Sequence, residues 1–163
     1  MKRYIKSDDN NSVDPFENFD SAYRHKLALR TDDPNVLEIL SYDPVTIVRV
    51  CVARNPNTPL EILEELAKDT DDSVRSSVAQ RVDIPKELAV KLSKDRLWGV
   101  RWRLAMHTSD VDILRKLSTD RSPAVRTSVA NNPCTPTDII ENYALNDPYW
   151  EVQETAKRVL DIT

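Results

Sequence analysis

Apolar residues recur along this chain at helical spacing, in blocks that repeat every 25 to 27 residues. In the copy that extends from Val48 to Ser73, the apolar side chains of one block lie three and four residues apart, as on one face of a helix. No stretch alternates apolar and polar residues for long enough to predict a strand. The pattern therefore predicts an all-α protein. The block in that copy consists of Ile62, Leu63, Leu66 and Ala67.

A second block in each repeat begins with the phrase Val-Arg, or with Tyr-Arg in the first copy. An alanine follows every arginine by four residues, and an aspartate precedes all but the first arginine by six. A degraded sixth copy begins at Val152, where Gln153 replaces the arginine. A fixed short period is typical of stacked helical repeats that bury their apolar faces on one another. The five phrases are Tyr23-Arg24, Val48-Arg49, Val74-Arg75, Val100-Arg101 and Val125-Arg126.

We therefore predict a helical-repeat solenoid of about five and a half repeats. Each repeat is expected to contain a helix of roughly three turns and a short α- or 3₁₀-helix of one or two turns. Thr58-Pro59-Leu60-Glu61 is expected to start the first helix of its repeat, because threonine accepts a bond from a free backbone N–H and proline fits the first helical position. Asp33-Pro34 is expected to start another such helix.

The repeats predict one helical-repeat domain over residues 21–163, preceded by a leader over residues 1–20. The polar stretch at residues 7–12 is typical of disorder. Phe16 and Phe19 lead to two interpretations: they cover the open end of the first repeat, or they belong to an unattached leader. The last repeat is expected to form the C-terminal cap of the array, because end repeats must be atypical. Tyr149 and Trp150 are expected to pack in that cap.

Composition narrows the possible functions. The net charge of -4 and the pI near 5.2 argue against a general polyanion binder, although a local basic patch remains compatible with them. The single glycine leaves no Gly-rich phosphate loop. Neither the two histidines nor the two cysteines have metal-ligand spacing, and no catalytic set is visible. We therefore predict no enzyme, no metal and no cofactor.

Cysteine usage and hydropathy indicate a compartment. Cys51 and Cys134 lie three repeats apart, too far for a bridge within a solenoid, so two free thiols are predicted. Free thiols suit a reducing compartment. The N-terminus has no apolar core of a signal peptide, and no apolar run is long enough to span a membrane. These features favour a cytoplasmic protein without membrane contact.

Two segments, at Val48–Pro59 and Val125–Pro136, read Val-Arg-x-x-Val-Ala-x-Asn-Pro-x-Thr-Pro. This phrase resembles the leucine-rich repeat variant family, a relative of HEAT repeats, over about residues 23–158. The resemblance implies repeats that pair an α-helix with a shorter 3₁₀-helix, a scaffold or interaction role, and no catalytic residues. Residues 80–85 lack the Asn-Pro, and residues 106–110 lack both prolines. One type of member carries an iron–sulfur domain, but no cysteine cluster is present here to imply that cofactor.

The repeated aspartates and arginines have two interpretations. They form a row that binds phosphates or carboxylates, or they form a structural ladder in which each arginine fork bonds an aspartate or backbone carbonyls. Recurrence in every repeat favours the ladder, and the resemblance supports it because HEAT repeats use a similar one. The predicted ladder consists of Asp43, Arg49, Asp69, Arg75, Asp95, Arg101, Asp120 and Arg126.

Positions that vary among the repeats indicate a surface for a partner. A helical projection places the repeated valine, arginine and alanine on one arc, and the second and third residues after the valine outside it. Trp102, flanked by Arg101 and Arg103, is the candidate anchor on this ridge, because tryptophan and arginine are common interface anchors. The alternative is that Trp98 fills a gap beside Gly99 and Trp102 lies on a neighbouring loop. The candidate partner-binding residues are Trp102, Arg103, Trp98, Val50 and His25.

Three functions remain open. The leading hypothesis is a non-catalytic scaffold or adaptor that presents the ridge to a protein or peptide. The first alternative is a nucleic-acid-binding or DNA-repair protein, because residues 97–103 are loosely similar to the tryptophan- and arginine-containing segments of HEAT-like alkylpurine DNA glycosylases. The acidic charge disfavours this alternative. The second alternative is a structural subunit of a larger assembly. The oligomeric state stays open.

Overall fold

A computed structural model describes residues 15, 16 and 18–162 of the chain. Within these residues there are eleven α-helices, one π-helical segment and no strand, so the all-α prediction is confirmed. None of the described helices combines the length and the apolar character needed to cross a membrane. The helices are α1 Ser21–Arg30, α2 Pro34–Ser41, α3 Thr46–Arg54, α4 Leu60–Leu66, α5 Asp72–Ala79, α6 Lys86–Leu92, α7 Trp98–His107, α8 Val111–Leu117, α9 Pro123–Asn131, α10 Thr137–Ile139 and α11 Trp150–Val159, with the π-helical segment at Ile140–Ala144.

The chain divides into two compact units, of which the first ends at Ser77 and the second begins at Val78. In the first unit, α1 packs directly against α3, and α2 contacts both α3 and α4. In the second unit, α9 packs against both α7 and α11, while α8 contacts α7 and α9. Helices that carry the Val-Arg phrase therefore lie side by side within each unit. The single domain over residues 21–163 stays a prediction.

The lengths of the two helices in a repeat differ from those expected. The helix that carries the Val-Arg phrase is the longer one, for example nine residues in α3 against seven in α4. It is an α-helix, and it begins two residues before its valine, as Thr46 precedes Val48. The other helix of the repeat is shorter because the residues after it form a turn around the repeated aspartate. In this copy α4 ends at Leu66.

Helix starts follow the predicted chemistry only in part. Asp33 caps α2 by accepting from the backbone N–H of Asn35 at 2.9 Å, and Pro34 occupies the first turn. Thr58, by contrast, does not cap α4. Its hydroxyl donates to the carbonyl oxygen of Val52 at 2.6 Å, so the threonine ties the start of one helix to the end of the preceding one.

Small and branched apolar residues fill the core of each unit. The repeated alanines are at most 1% exposed, which fits close contact between neighbouring Val-Arg helices. Leucines and isoleucines of the shorter helices cover the other side of this layer. The largest buried side chains include Leu37, Leu40, Val48 and Val52 in the first unit, and Leu88, Leu92, Leu104, Ile113, Leu114, Leu117 and Ile139 in the second.

The two ends of the chain depart from the regular repeat. Phe19 stacks on Tyr23 of α1, with ring centroids 4.5 Å apart, so at least this part of the leader lies against the first repeat. The stretch at residues 7–12 lies outside the described residues. At the other end, Leu145 donates its backbone N–H to the carbonyl of Ile140, five residues earlier. This bond widens the helix that continues from α10 into a π-helical segment.

The expected packing of the last aromatic pair is wrong for Trp150, which is 67% exposed. Tyr149 is half exposed, and its ring lies beside the guanidinium of Arg126 at 5.4 Å. The reason is that Trp150 occupies the first position of α11, where its side chain lies outside the core. The core of this end is formed by smaller residues, namely Ala130, Ile140, Ala144, Val152 and Ala156.

Candidate functional site

The arginines and aspartates of the repeats form a ladder whose geometry differs from a simple pairing six residues apart. Arg101 donates through Nε and Nη2 to the two carboxylate oxygens of Asp120, nineteen residues later, at 2.6 and 2.8 Å. Its Nη1 donates to the backbone carbonyl of Asp95, six residues earlier, at 2.7 Å. Each arginine therefore spans two turns. The same carboxylate pairing occurs in Arg24–Asp43, Arg49–Asp69 and Arg126–Asp147.

The carbonyl bond recurs even where the repeat is degraded. Arg75 is 6% exposed and donates to the carbonyl oxygen of Asp69 at 2.8 Å, in agreement with its expected burial. Gln153, which replaces the arginine of the last copy, donates through Nε2 to the carbonyl oxygen of Asp147 at 2.6 Å. An amide can replace this one contact because it supplies an N–H donor, although it carries no charge.

Each ladder aspartate also organises its own turn. Asp120 accepts from the backbone N–H of Ser122 at 2.8 Å while it pairs with Arg101. Burial by itself would raise the pKa of Asp120, but the bonds from Arg101 and Ser122 outweigh burial and hold the pKa below its ordinary value of 3.8. The bond to Asp120 in turn raises the pKa of Arg101, so both groups are held in their charged forms. These bonds occupy the arginine forks internally.

The Asn-Pro-x-Thr-Pro phrase makes a second ladder. Asn55 is 1% exposed and donates through Nδ2 to the carbonyl oxygens of Ala28 and Thr31 in the preceding repeat, at 2.7 and 2.8 Å. Asn132 does the same in the second unit, with Ala105 and Thr108 as acceptors at 2.7 and 2.9 Å. The asparagine therefore satisfies carbonyls at the end of the neighbouring helix, which explains its place in the phrase.

The predicted ridge is largely wrong as an exposed surface. Val50 is only 4% exposed, and Cys51 beside it is 3% exposed. The third residues after the valine are also buried in two later repeats, as Ser77 and Ser128 show. The physical reason is that a Val-Arg helix packs against neighbouring Val-Arg helices as well as its own partner helix, whereas the projection assumed one buried face. His25 is half-buried on α1.

Two large aromatic side chains remain accessible in this region. One is Trp102, which belongs to the predicted ridge, and the other is Trp98, which lies one turn before it. Trp98 is 54% exposed, and Trp102 is half-buried, with the guanidinium of Arg103 4.7 Å from its ring centre. Both tryptophans lie on α7, so Trp102 is not on a loop. The exposure of Trp98 shows that it does not fill a gap in the core. A Cβ added at Gly99 would meet no atom within 4 Å, which shows that the glycine leaves no tight gap to fill.

An open groove of about 350 Å³ lies beside Trp102, between α7 and α9. Met106, which was not among the predicted partner-binding residues, is 41% exposed and lies one helical turn after Trp102 on the same face. The spacing of Trp98, Trp102 and Met106, four residues each, was the available signal. On the α9 side the walls are small or polar. The groove is lined by Trp102, Met106, Ala124, Thr127, Ser128, Asn131 and Asn132.

Residues 48–71 match the model of the leucine rich repeat variant family. The chain carries a leucine-rich repeat variant unit. The predicted resemblance is thereby confirmed. The chain is also similar to a solved structure described as "a leucine-rich repeat variant with a novel repetitive protein structural motif". The two are 25% identical, the match covers 88% of this chain and 68% of that chain, and the TM-score is 0.43. No curated protein matches the chain.

The leucine-rich repeat variant phrase supplies bonds between repeats, from Asn55, and a bond within its own repeat, from Thr58. Asn55 and Thr58, both within the matched segment, are buried and have backbone carbonyls as acceptors. Among the described residues, no group of three or more His, Cys, Asp and Glu side chains could hold a metal ion. Cys51 and Cys134 are free thiols, the first buried and the second exposed.

Proposed function

We propose that this chain is a non-catalytic binding module and that the groove between α7 and α9 receives a segment of a protein partner. The observation that carries the proposal is the apolar stripe of Trp98, Trp102 and Met106 on one face of α7, of which the half-buried Trp102 and the exposed Met106 line the groove. An exposed aromatic stripe beside a concave surface is typical of interaction sites. A family of repeat proteins fits a scaffold role of this kind.

The ladder supports this proposal by removing the competing site. An anion-binding row would need arginine donors free for a ligand, whereas Arg49, Arg101 and Arg126 each bond a carboxylate and a backbone carbonyl. Among the described residues, every buried side-chain polar atom has a hydrogen-bond partner. The ladder arginines are therefore proposed to hold the repeats together and to leave recognition to the groove.

The opposing wall explains why the stripe is accessible. Ala124, Thr127 and Ser128 on α9 are too small to cover the Trp102 ring, so a partner side chain can lie between the two helices. Tryptophan anchors commonly contribute about 2 kcal/mol or more to an interface. Arg103 adds a cation over the Trp102 ring, 4.7 Å from the ring centre.

The test is a selection of random twelve-residue peptides displayed on phage against the full chain. Binding of the enriched peptides is then measured for the wild type, for Trp102→Ala and for Trp150→Ala. We expect Trp102→Ala to weaken binding more than tenfold with an unchanged circular dichroism spectrum, while Trp150→Ala, which removes an exposed tryptophan of α11, has little effect. Enriched peptides that bind Trp102→Ala as well as the wild type would contradict the proposal.

A further inference from the structure

Positive charge is concentrated in the stretch of chain around the groove. Between residues 91 and 126, positive side chains outnumber negative ones by nine to four, although the whole chain has a net charge of -4. The positive residues of this stretch are Lys91, Lys94, Arg96, Arg101, Arg103, Arg115, Lys116, Arg121 and Arg126, and the negative ones are Asp95, Asp110, Asp112 and Asp120. Of the nine, Arg101 and Arg126 are paired within the ladder and Arg115 is paired with Asp138, which leaves six cations outside these ion pairs.

Four of these cations lie on the turn between α6 and α7, the last turn of α8 and the turn before α9. Arg121 donates through Nη2 to the backbone carbonyl of Arg96 at 2.9 Å, which brings the turn before α9 against the turn before α7. Lys116, in the last turn of α8, donates to the hydroxyl of Ser93 at 2.8 Å and joins α8 to the turn between α6 and α7. We call Lys94, Arg96, Lys116 and Arg121 the basic edge; all four are exposed.

The basic edge is not neutralised by its own carboxylates. In the described part of the chain, none of the four side chains lies within 4.0 Å of a carboxylate oxygen. Partial burial and the nearby charge of Lys94 both lower the pKa of Lys116, which shows that like charges face one another there. An anionic ligand would relieve this repulsion.

The basic edge adjoins the groove at one end. Arg96 precedes Trp98, the first residue of α7, by two positions, and Arg121 precedes Pro123, the first residue of α9, by two positions. Both helices that form the groove therefore begin beside the basic edge. No acidic residue lines the groove itself. A segment lying along the groove would thus meet apolar walls first and cations at the end where α7 and α9 begin.

The first unit offers the opposite charge. Its open groove, of about 260 Å³, includes Glu38, Glu61 and Glu65 in its lining. In the turn before its last helix Asp71 adds a carboxylate, while Asp69 is already paired with Arg49 in the ladder. An acidic segment would be repelled from this groove and attracted to the other, so charge alone can direct it to the second unit.

We infer that the partner is an acidic protein segment, with an apolar side chain beside Trp102 and Met106 and carboxylates at the basic edge. This inference rests on the proposed function of the groove. Complementary charge would set the orientation of the segment and accelerate its association, while the apolar anchor would provide the lasting contact.

The probes for the test are two display libraries of twelve-residue peptides with a variable apolar residue at the centre. One library restricts the flanking positions to Asp, Glu, Ser and Gly, and the other restricts them to Lys, Arg, Ser and Gly. Both are selected on the full chain, and enriched peptides are measured on Trp102→Ala, on the double variant Arg96→Glu with Arg121→Glu, and on a matched control. The control, Lys26→Glu with Arg30→Glu, makes the same charge change at exposed positions of α1.

We expect only the acidic library to yield peptides that require Trp102. Their affinity should fall at least tenfold in the Arg96 and Arg121 double variant, change less than twofold in the control, and weaken steeply as salt is raised. Circular dichroism and melting temperature confirm that each variant is folded. Arg121 and Arg96 are exposed, so loss of the bond between them is not expected to unfold the unit.

Each other outcome has a definite meaning. Peptides that require Trp102 but come from the basic library, or that ignore the double variant, would overturn the inference and leave the groove as the binding site. The absence of Trp102-dependent peptides from both libraries would overturn the proposed function as well. A labelled single-stranded oligonucleotide that is displaced by the acidic peptides and lost in the double variant would assign the basic edge to nucleic acid and overturn the acidic partner.

Discussion

The second and third residues after the repeated valine differ in exposure between α3 and α7. In α3 these residues are Val50 and Cys51, both buried, and in α7 they are Trp102 and Arg103, which are only half-buried. In the first unit, α1 packs directly on α3. In the second, α9 presents Ala124 and Thr127 to Trp102, and a groove remains. The comparison shows that the position in the repeat does not by itself decide which side chains can meet a partner.

The strongest test of this comparison concerns what both regions share, the ladder. Arg101→Ala should lower the free energy of unfolding by about 2–4 kcal/mol, because Asp120 would be left partly buried without its partner. Arg49→Ala should cost less, since the side chain of Arg49 is 13% exposed against 5% for Arg101. Urea denaturation measures both. Arg115→Ala, in an exposed pair with Asp138, is the control and should cost below about 1 kcal/mol.

Equal losses for Arg101→Ala and Arg115→Ala would show that the ladder does not stabilise the repeats. Arg75→Ala offers an independent check, because Arg75 is buried and donates to the carbonyl of Asp69. Arg75→Ala should also lower the free energy of unfolding by about 2–4 kcal/mol.

The next test compares the two equivalent positions directly. Val50→Ala should lower the free energy of unfolding by about 2 kcal/mol, because it removes two buried methyl groups from a packed site. Trp102→Ala should cost less despite the larger side chain, because the Trp102 ring lines an open groove. Chemical denaturation of the two variants provides the comparison. A larger loss for Trp102→Ala would mean that the tryptophan serves mainly to pack the second unit.

A smaller effect is expected from acid. The pKa of Asp120 and the pKa of Asp147 are both below 3.8, because bonds from arginines and backbone N–H groups outweigh the effect of burial. A carboxyl with a lowered folded-state pKa stabilises the fold fully above its unfolded pKa, and this stabilisation is lost as the pH falls through the folded pKa. Stability should therefore decline below about pH 4. Asp120→Asn should reduce this decline, as measured by urea denaturation at pH 6 and pH 3, and an unchanged decline would exclude Asp120 as a source.

The smallest change concerns the two thiols. Burial raises the pKa of Cys51, with a smaller opposing effect from Arg54, whereas Cys134 is exposed. In the folded protein at pH 8, iodoacetamide should modify Cys134 quickly and Cys51 slowly, because the thiolate is the reactive form and must be accessible. Mass spectrometry of peptides over time measures both rates. Two thiols should react after unfolding without reductant, and comparable rates in the folded protein would contradict the burial of α3.

The sequence by itself determined the helical repeat, its period, the alanine contacts and most residues of the ladder, although Arg24 and Asp147 were not among those predicted. These features repeat because each is a local requirement: apolar side chains at helical spacing, a cap or a turn at a fixed point, and one charged pair in each repeat. The sequence also pointed to Trp102, because a large aromatic residue replaced smaller ones at a variable position.

Only the tertiary structure decided which variable positions were accessible and how the ladder was connected. The carboxylate partner of Arg101 is Asp120 in the next repeat, and Asp95, six residues before the arginine, contributes its carbonyl. Val50 was assigned to the surface because a projection of one helix does not include the helices packed beside it. Exposure and partner choice depend on neighbours distant in sequence, and the size of their side chains determines whether the space between helices is filled or open.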